Sequence, residues 1–150
     1  MREGRGRVRF ARVWSRTPAV TPPRALAGQR WPGRPARLLL VDDDDELREA
    51  LHRVLQRAGH EVLAARSPGD ALLLVEAHPQ PLDLVLSDVE MPLLDGPSLV
   101  ARLRQRQPGL PAVFMSAHIA PTSIAAEDGP LLAKPFREDA LHAALAARLG

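Results

Sequence analysis

The chain has 150 residues, enough for one domain with a buried core, and a formal net charge of +2 at pH 7. It has no cysteine, which excludes disulfides, thiolate metal sites and a thiol nucleophile and fits a reducing compartment. No apolar run approaches the roughly 18 residues that indicate a membrane span, so we expect a cytoplasmic protein without a membrane segment.

The small net charge conceals two parts of opposite sign. Residues 1–37 carry a charge of +9, and residues 38–150 carry −7. Residues 1–36 are rich in Arg and Pro and lack apolar periodicity, so we expect a disordered N-terminal extension followed by one domain over 37–150. Nucleic-acid binding through the basic extension stays an alternative that we do not expect, because Arg and Pro richness alone is weak evidence.

Strand and helix patterns alternate from Arg37 onward. Short apolar runs predict five strands, over 37–41, 61–65, 82–87, 111–116 and 131–133. Apolar residues at helical spacing predict helices over 46–58, 67–77, 97–107 and 137–149. Ser67 as N-cap and Pro68 at the first helical position are typical of a helix start. The alternation predicts an α/β domain, a parallel sheet with helices on both faces.

Polar residues follow the predicted strands. Asp42 to Asp45 follow the first strand, Asp88 the third, Ser116 the fourth and Lys134 the fifth. In parallel sheets of this type, sites lie beyond the carboxyl ends of the strands. We therefore expect these side chains to converge on one edge of the sheet.

Three of the acids predict a metal site. Asp44 and Asp45 lie where a helix begins, and an acid there is favoured by capping and by the helix dipole. Asp42, Asp43 and Asp88 would place three carboxylates at one rim, where two unit charges about 4 Å apart repel by on the order of 4 kcal/mol. A cation is needed to offset this repulsion, and hard oxygen ligands suit Mg²⁺.

Lys134 is the single lysine among twenty basic residues. Its ammonium is a compact point charge on a flexible stem, whereas guanidinium is a planar fork of donors. In a chain that otherwise uses arginine, this choice indicates a chemical role at the strand ends.

Four segments in this order resemble the receiver domain of two-component response regulators: LLLVDDDDELR, DLVLSDVEMPLLDG, VFMSA and LLAKPF. The resemblance covers about residues 37–149, three quarters of the chain. It implies a doubly wound, flavodoxin-like sheet of five parallel strands in the order 2-1-3-4-5. It also implies a cis bond before Pro135.

The resemblance further implies a role for each site residue. Asp88 would accept a phosphoryl group from a histidine kinase or a histidine phosphotransfer protein. Asp43, Asp88 and the backbone carbonyl of Glu90 would ligate Mg²⁺, and Asp42 would contact it through water. Two other residues would contact the phosphoryl group, Ser116 through its hydroxyl and Lys134 through its ammonium.

The implied function is signalling rather than enzymatic turnover. Magnesium-dependent self-phosphorylation from a phosphodonor and slow autodephosphorylation would be the only reactions, and phosphorylation would change binding to an unknown downstream protein. One alternative is a receiver-like interaction module that never carries phosphate. Another is a phosphatase of the haloacid dehalogenase type, but its motif order differs, since here the acid pair precedes Asp88 by more than forty residues.

Two features depart from the receiver pattern. Leu131 stands where many receivers have an aromatic residue that moves on phosphorylation, so we do not expect an aromatic switch. Only seventeen residues separate Ser116 from Lys134, so the fourth helix, between them, must be short. We expect a stand-alone receiver. Because the surface of so short a helix is small and Leu131 offers no ring, we also expect it to be monomeric.

Overall fold

The computed structural model of the chain describes residues 35–117 and 131–149. The strands are β1 (Arg37–Val41), β2 (Glu61–Ala65), β3 (Leu84–Asp88), β4 (Ala112–Ser116) and β5 (Leu131–Ala133). The helices are α1 (Asp45–Arg57), α2 (Pro68–Ala77), α3 (Gly96–Arg106) and α4 (Glu138–Leu149). Residues 1–34 of the extension predicted to be disordered lie outside the described residues, and so does the short helix predicted between Ser116 and Lys134. Ala36, at the end of that extension, is described and is buried in the core.

The strands form one parallel sheet in the order β2-β1-β3-β4-β5, which confirms the predicted fold. The register aligns the carboxyl ends of the strands. Ser87 lies opposite Val41, Asp88 opposite Met115 and Ser116 opposite Ala133. Residues that follow these strands therefore meet at one edge of the sheet.

Alternate residues of the apolar β1 run pack on opposite faces of the sheet, as expected for a strand buried on both sides. Leu38 and Leu40 join the core beneath α1 and α4. Leu39 and Val41 join the core beneath α2 and α3. The sheet is thus fixed from both sides, which gives the residues at its carboxyl edge a rigid support.

Side chains define where the helices begin. The carboxylate of Asp44 accepts hydrogen bonds from the N–H groups of Glu46 and Leu47 at the start of α1. Ser67 caps α2, as predicted, by accepting from the N–H of Asp70 at 3.0 Å. These contacts satisfy N–H groups that have no partner inside the helix.

The third strand begins at Leu84, two residues later than predicted. The backbone N–H and carbonyl of Leu82 are bonded to the side chain of Gln107 rather than to a neighbouring strand. Across residues 35–117 and 131–149, no helix combines the length and apolar character needed to span a membrane.

Candidate functional site

The predicted site residues lie at the carboxyl edge of the sheet. Asp42 directly follows β1, Asp88 ends β3, Ser116 ends β4 and Lys134 directly follows β5. One carboxylate oxygen each of Asp42, Asp43 and Asp88 lies within 4.8 Å of the other two. The structure therefore brings the three predicted carboxylates together.

The donor set of this cluster fits Mg²⁺. Its three side chains offer hard carboxylate oxygens from the end of β3 and from the loop after β1, and Asp43 is exposed whereas Asp42 and Asp88 are buried. Mg²⁺ usually keeps several waters and takes one or two protein carboxylates. An exposed Asp43 beside a buried Asp88 offers this combination, with solvent reaching the cluster from one side.

Lys134 lies between the two buried carboxylates. Its Nζ is 3.0 Å from Oδ2 of Asp42 and 3.4 Å from Oδ2 of Asp88, and its side chain is 18% exposed. The N–H of Lys134 donates to the carbonyl of Ser116 at 2.7 Å, which fixes the start of the side chain. The bond between Lys134 and Pro135 is cis, as the resemblance implied. The single lysine of the chain is therefore a member of the site.

Asp42 is held at every polar group. Its Oδ1 accepts the N–H of Asp44 at 2.9 Å, and its Oδ2 accepts from Lys134. Its backbone carbonyl accepts from Nη1 of Arg48 at 2.8 Å, and its N–H donates to the carbonyl of Ala65 at 3.2 Å. A carboxylate occupied in this way suits an indirect contact with a metal, and the predicted contact through water stays a prediction.

Burial and charge shift three pKa values in opposing ways. Burial raises the pKa of Asp88 to about 6, although Lys134 acts to lower it. Burial likewise raises the pKa of Asp42 against the opposing effect of Lys134. Burial alone would lower the pKa of Lys134, but the carboxylates of Asp42 and Asp88 outweigh it, and its pKa ends above the ordinary value. One ammonium thus only partly offsets the negative charge of the cluster.

The loop after β3 is closed tightly against Asp88. The Oγ of Ser87 donates to the backbone carbonyl of Asp88 at 2.9 Å, and the N–H of Gly96 donates to the carbonyl of Val89 at 2.9 Å. A Cβ at Gly96 would lie 2.3 Å from the carbonyl oxygen of Asp88, so no larger residue fits without a shift. Sequence reasoning missed Ser87 and Gly96. The close approach at Gly96 depends on how α3 lies against β3, and the bond from Ser87 to the next carbonyl has no signature in the sequence.

Glu90 and Ser116 lie where the sequence placed them. Glu90 is exposed, two residues after Asp88, and Ser116 is buried at the end of β4. Their predicted roles, as carbonyl ligand and hydroxyl donor, stay predictions.

Arg48 is a further site neighbour that sequence reasoning did not select. Its Nη1 donates to the carbonyl of Asp42, and its Nη2 lies 2.6 Å from Oδ1 of Asp45. The three-residue separation from Asp45 on a helix was the available signal for that ion pair. The contact with Asp42 has no comparable signature in the sequence.

Comparisons with known proteins agree with this geometry. Residues 38–146 match the family described as "Response regulator receiver domain". Transcriptional regulatory protein GlrR of Escherichia coli K12 is 37% identical over 116 residues, which are 75% of this chain but only 26% of that protein. Response regulator receiver protein CpdR of Brucella abortus is 33% identical over 104 residues, covering 67% of this chain and 85% of that protein.

Solved structures give the same result. The receiver domain from Hybrid Histidine Kinase CckA is 32% identical with a TM-score of 0.66, covering 76% of this chain and 99% of that chain. Response regulator protein TrrA of Thermotoga maritima, solved in complex with Mg²⁺ and beryllium fluoride, is 26% identical with a TM-score of 0.66 and the same coverage.

Proposed function

Because the chain belongs to the response regulator receiver domain family, we propose that it is a phosphoacceptor in a two-component phosphorelay, phosphorylated on Asp88. One observation carries the proposal. The buried Asp88 carboxylate lies within 4.8 Å of carboxylate oxygens of Asp42 and Asp43, and the Nζ of Lys134 lies 3.4 Å from it. The proposed nucleophile, the oxygens proposed to bind the metal and the ammonium of Lys134 thus share one small volume.

The proposed step is a phosphoryl transfer. One carboxylate oxygen of Asp88 forms a bond to phosphorus while the bond from phosphorus to a histidine nitrogen of the donor breaks. The bonding electrons leave with the imidazole nitrogen, and the product is an acyl phosphate. Mg²⁺, held by Asp43, Asp88 and the carbonyl of Glu90, with Asp42 acting through water, would offset negative charge on the phosphoryl oxygens.

The remaining site residues stabilise the transferred group. Lys134 carries a compact ammonium on a flexible stem, so it can move from the carboxylates to a phosphoryl oxygen. Ser116 ends the strand beside β3, and its hydroxyl donates to a second phosphoryl oxygen. Donors already directed at the developing charge need little reorganisation during the reaction.

The partners follow from the chemistry. The donor is a histidine kinase or a histidine phosphotransfer protein in the cytoplasm, and the output is altered binding to a downstream protein. The receiver domain of the hybrid histidine kinase CckA supports a histidine kinase as donor by similarity, and the complex of TrrA with Mg²⁺ and beryllium fluoride supports Mg²⁺ at this site by similarity. No catalytic turnover of a separate substrate is proposed, apart from slow hydrolysis of the acyl phosphate.

Acetyl phosphate tests the proposal without a known kinase. The full chain is incubated with acetyl phosphate and Mg²⁺, and its intact mass is measured. We expect one added phosphoryl group in the wild type and in Asp70→Asn, a matched change on α2. The adduct should be lost in Asp88→Asn and when EDTA removes the metal. An equal adduct in Asp88→Asn would contradict the assignment.

A further inference from the structure

Arg48 crosses the loop between β1 and α1. It lies in the first part of α1, and its guanidinium turns back to the backbone carbonyl of Asp42 at 2.8 Å. The same group lies 2.6 Å from Oδ1 of Asp45. Its side chain is 15% exposed, whereas Arg53 on the same helix is exposed. Arg48 is therefore packed against the loop between β1 and α1, which carries the acidic run Asp42 to Asp45.

The contact with Asp42 acts on Asp43 through the backbone. The carbonyl of Asp42 and the N–H of Asp43 belong to one planar peptide group. The hydrogen bond from Arg48 therefore fixes the plane from which Asp43 begins. The N–H of Asp42 is bonded to Ala65 and its carboxylate to Lys134, so the bond from Arg48 holds the remaining backbone polar group of the residue before Asp43.

The other three acids of the run Asp42 to Asp45 each have a partner in the structure. Asp42 is engaged by Lys134, Asp44 caps α1, and Asp45 pairs with Arg48. The remaining member, Asp43, is the one whose carboxylate lies with Asp42 and Asp88. Holding both the Asp42 carbonyl and the Asp45 carboxylate needs two donors in a fixed plane, which guanidinium has and ammonium lacks.

We propose that Arg48 is a positioning residue for the metal, because it holds the loop in the conformation that presents Asp43 beside Asp88. This inference rests on the proposed function, since it concerns the Mg²⁺ needed for phosphorylation. The change in metal affinity expected on removing Arg48 has the opposite sign to that of a simple charge effect. A nearby positive charge weakens cation binding, so removing Arg48 should tighten binding if charge alone mattered and weaken it if positioning matters.

The test measures metal affinity and stability separately in the full chain. Binding of Mn²⁺ is followed by electron paramagnetic resonance of the free ion, and Mg²⁺ affinity is obtained by competition. Arg48→Lys keeps the charge and loses the fork, and Arg48→Met loses both. Arg53→Lys and Arg53→Met are the matched controls on the exposed face of α1. The unfolding free energy of each variant is measured by urea titration in EDTA.

We expect Arg48→Lys and Arg48→Met to weaken Mg²⁺ binding by about 10-fold, as when a partner of a metal ligand is lost. The Arg53 variants should bind at least as tightly as the wild type. Unchanged or tighter binding in a folded Arg48→Met would overturn the proposal, and so would equal weakening in the Arg53 variants. If Arg48→Met does not fold, the Mg²⁺ affinity of Arg48→Lys distinguishes positioning from charge. This variant keeps the positive charge, so a charge effect alone predicts unchanged affinity.

Failure of the proposed function would look different. A wild type that binds no Mg²⁺ and forms no adduct with acetyl phosphate would refute the phosphoacceptor assignment itself. A wild type that binds Mg²⁺ with Arg48 variants of equal affinity would refute only the positioning role.

Discussion

Replacing Asp88 by asparagine should stabilise the metal-free protein. Burial raises the pKa of Asp88 from 3.8 to about 6, so the folded state disfavours the ionised carboxylate. One pKa unit corresponds to about 1.4 kcal/mol, so the ionised group costs about 3 kcal/mol of unfolding free energy at pH 7.5. Asparagine keeps the shape of the side chain and removes the charge, and Lys134 keeps its contact with Asp42.

The pH dependence of this gain has a defined sign. Between pH 3.8 and about 6 the folded state holds more protons than the unfolded state, so wild-type stability from this group falls as the pH rises. The penalty is fully present above about pH 6 and absent below 3.8. The advantage of Asp88→Asn should therefore be largest at pH 7.5 and shrink steadily toward pH 4.

Urea titrations in EDTA at several pH values measure this difference, with Asp70→Asn as the control for an Asp to Asn change elsewhere. Mg²⁺ should reduce this difference in stability by stabilising the wild type. A ligand at ten times its Kd adds about 1.4 kcal/mol to the unfolding free energy of the protein that binds it. A less stable Asp88→Asn at pH 7.5, or an advantage that does not vary with pH, would show that the buried, ionised Asp88 does not destabilise the fold.

Four further outcomes are expected. Lys134→Met should lower the unfolding free energy by about 3 kcal/mol in urea titration, because it leaves the fully buried Asp42 without its cation. A loss of stability no larger than that of Arg53→Met would contradict this expectation. Gly96→Ala should lower the unfolding free energy by about 1 to 3 kcal/mol, because the added Cβ would overlap the backbone carbonyl of Asp88. A variant as stable as the wild type would show that this overlap does not occur. Burial lowers the pKa of His60 below its ordinary value of 6.5, so the contribution of His60 to stability should fall as the pH drops below 6.5. The difference in unfolding free energy between the wild type and His60→Gln measures this contribution, and a difference that does not vary with pH would disprove it. Light scattering should give the mass of one chain with and without beryllofluoride, because Leu131 has no aromatic ring to rearrange, and a doubled mass with beryllofluoride would be inconsistent with a monomer.

The fold was predictable because its patterns are local. The apolar β1 run indicated a strand buried on both faces, and its alternate residues do enter the two cores. Asp44 was assigned to the start of a helix, and it caps α1. Asp42, Asp88 and Lys134 were expected to meet because parallel strands end at one edge, and they do.

The missed features depend on contacts between distant parts of the chain. The first residue of β3 is set by the side chain of Gln107, which bonds the backbone of Leu82 25 residues earlier. The need for glycine at position 96 arises only when α3 lies against the carbonyl of Asp88. Arg48 reads in the sequence as one surface arginine among several, and its bond to Asp42 appears only in the folded loop.

Identifying the phosphorylated residue tests the proposed role of Asp88 most directly. The wild-type chain is treated with acetyl phosphate and Mg²⁺, and borohydride then reduces the acyl phosphate to the alcohol, which converts the modified aspartate to homoserine. Peptide mass spectrometry locates that homoserine. We expect homoserine at position 88 and unmodified aspartate at Asp42 and Asp43. Homoserine at either of those positions, or none at 88, would contradict the assignment of Asp88 as phosphoacceptor.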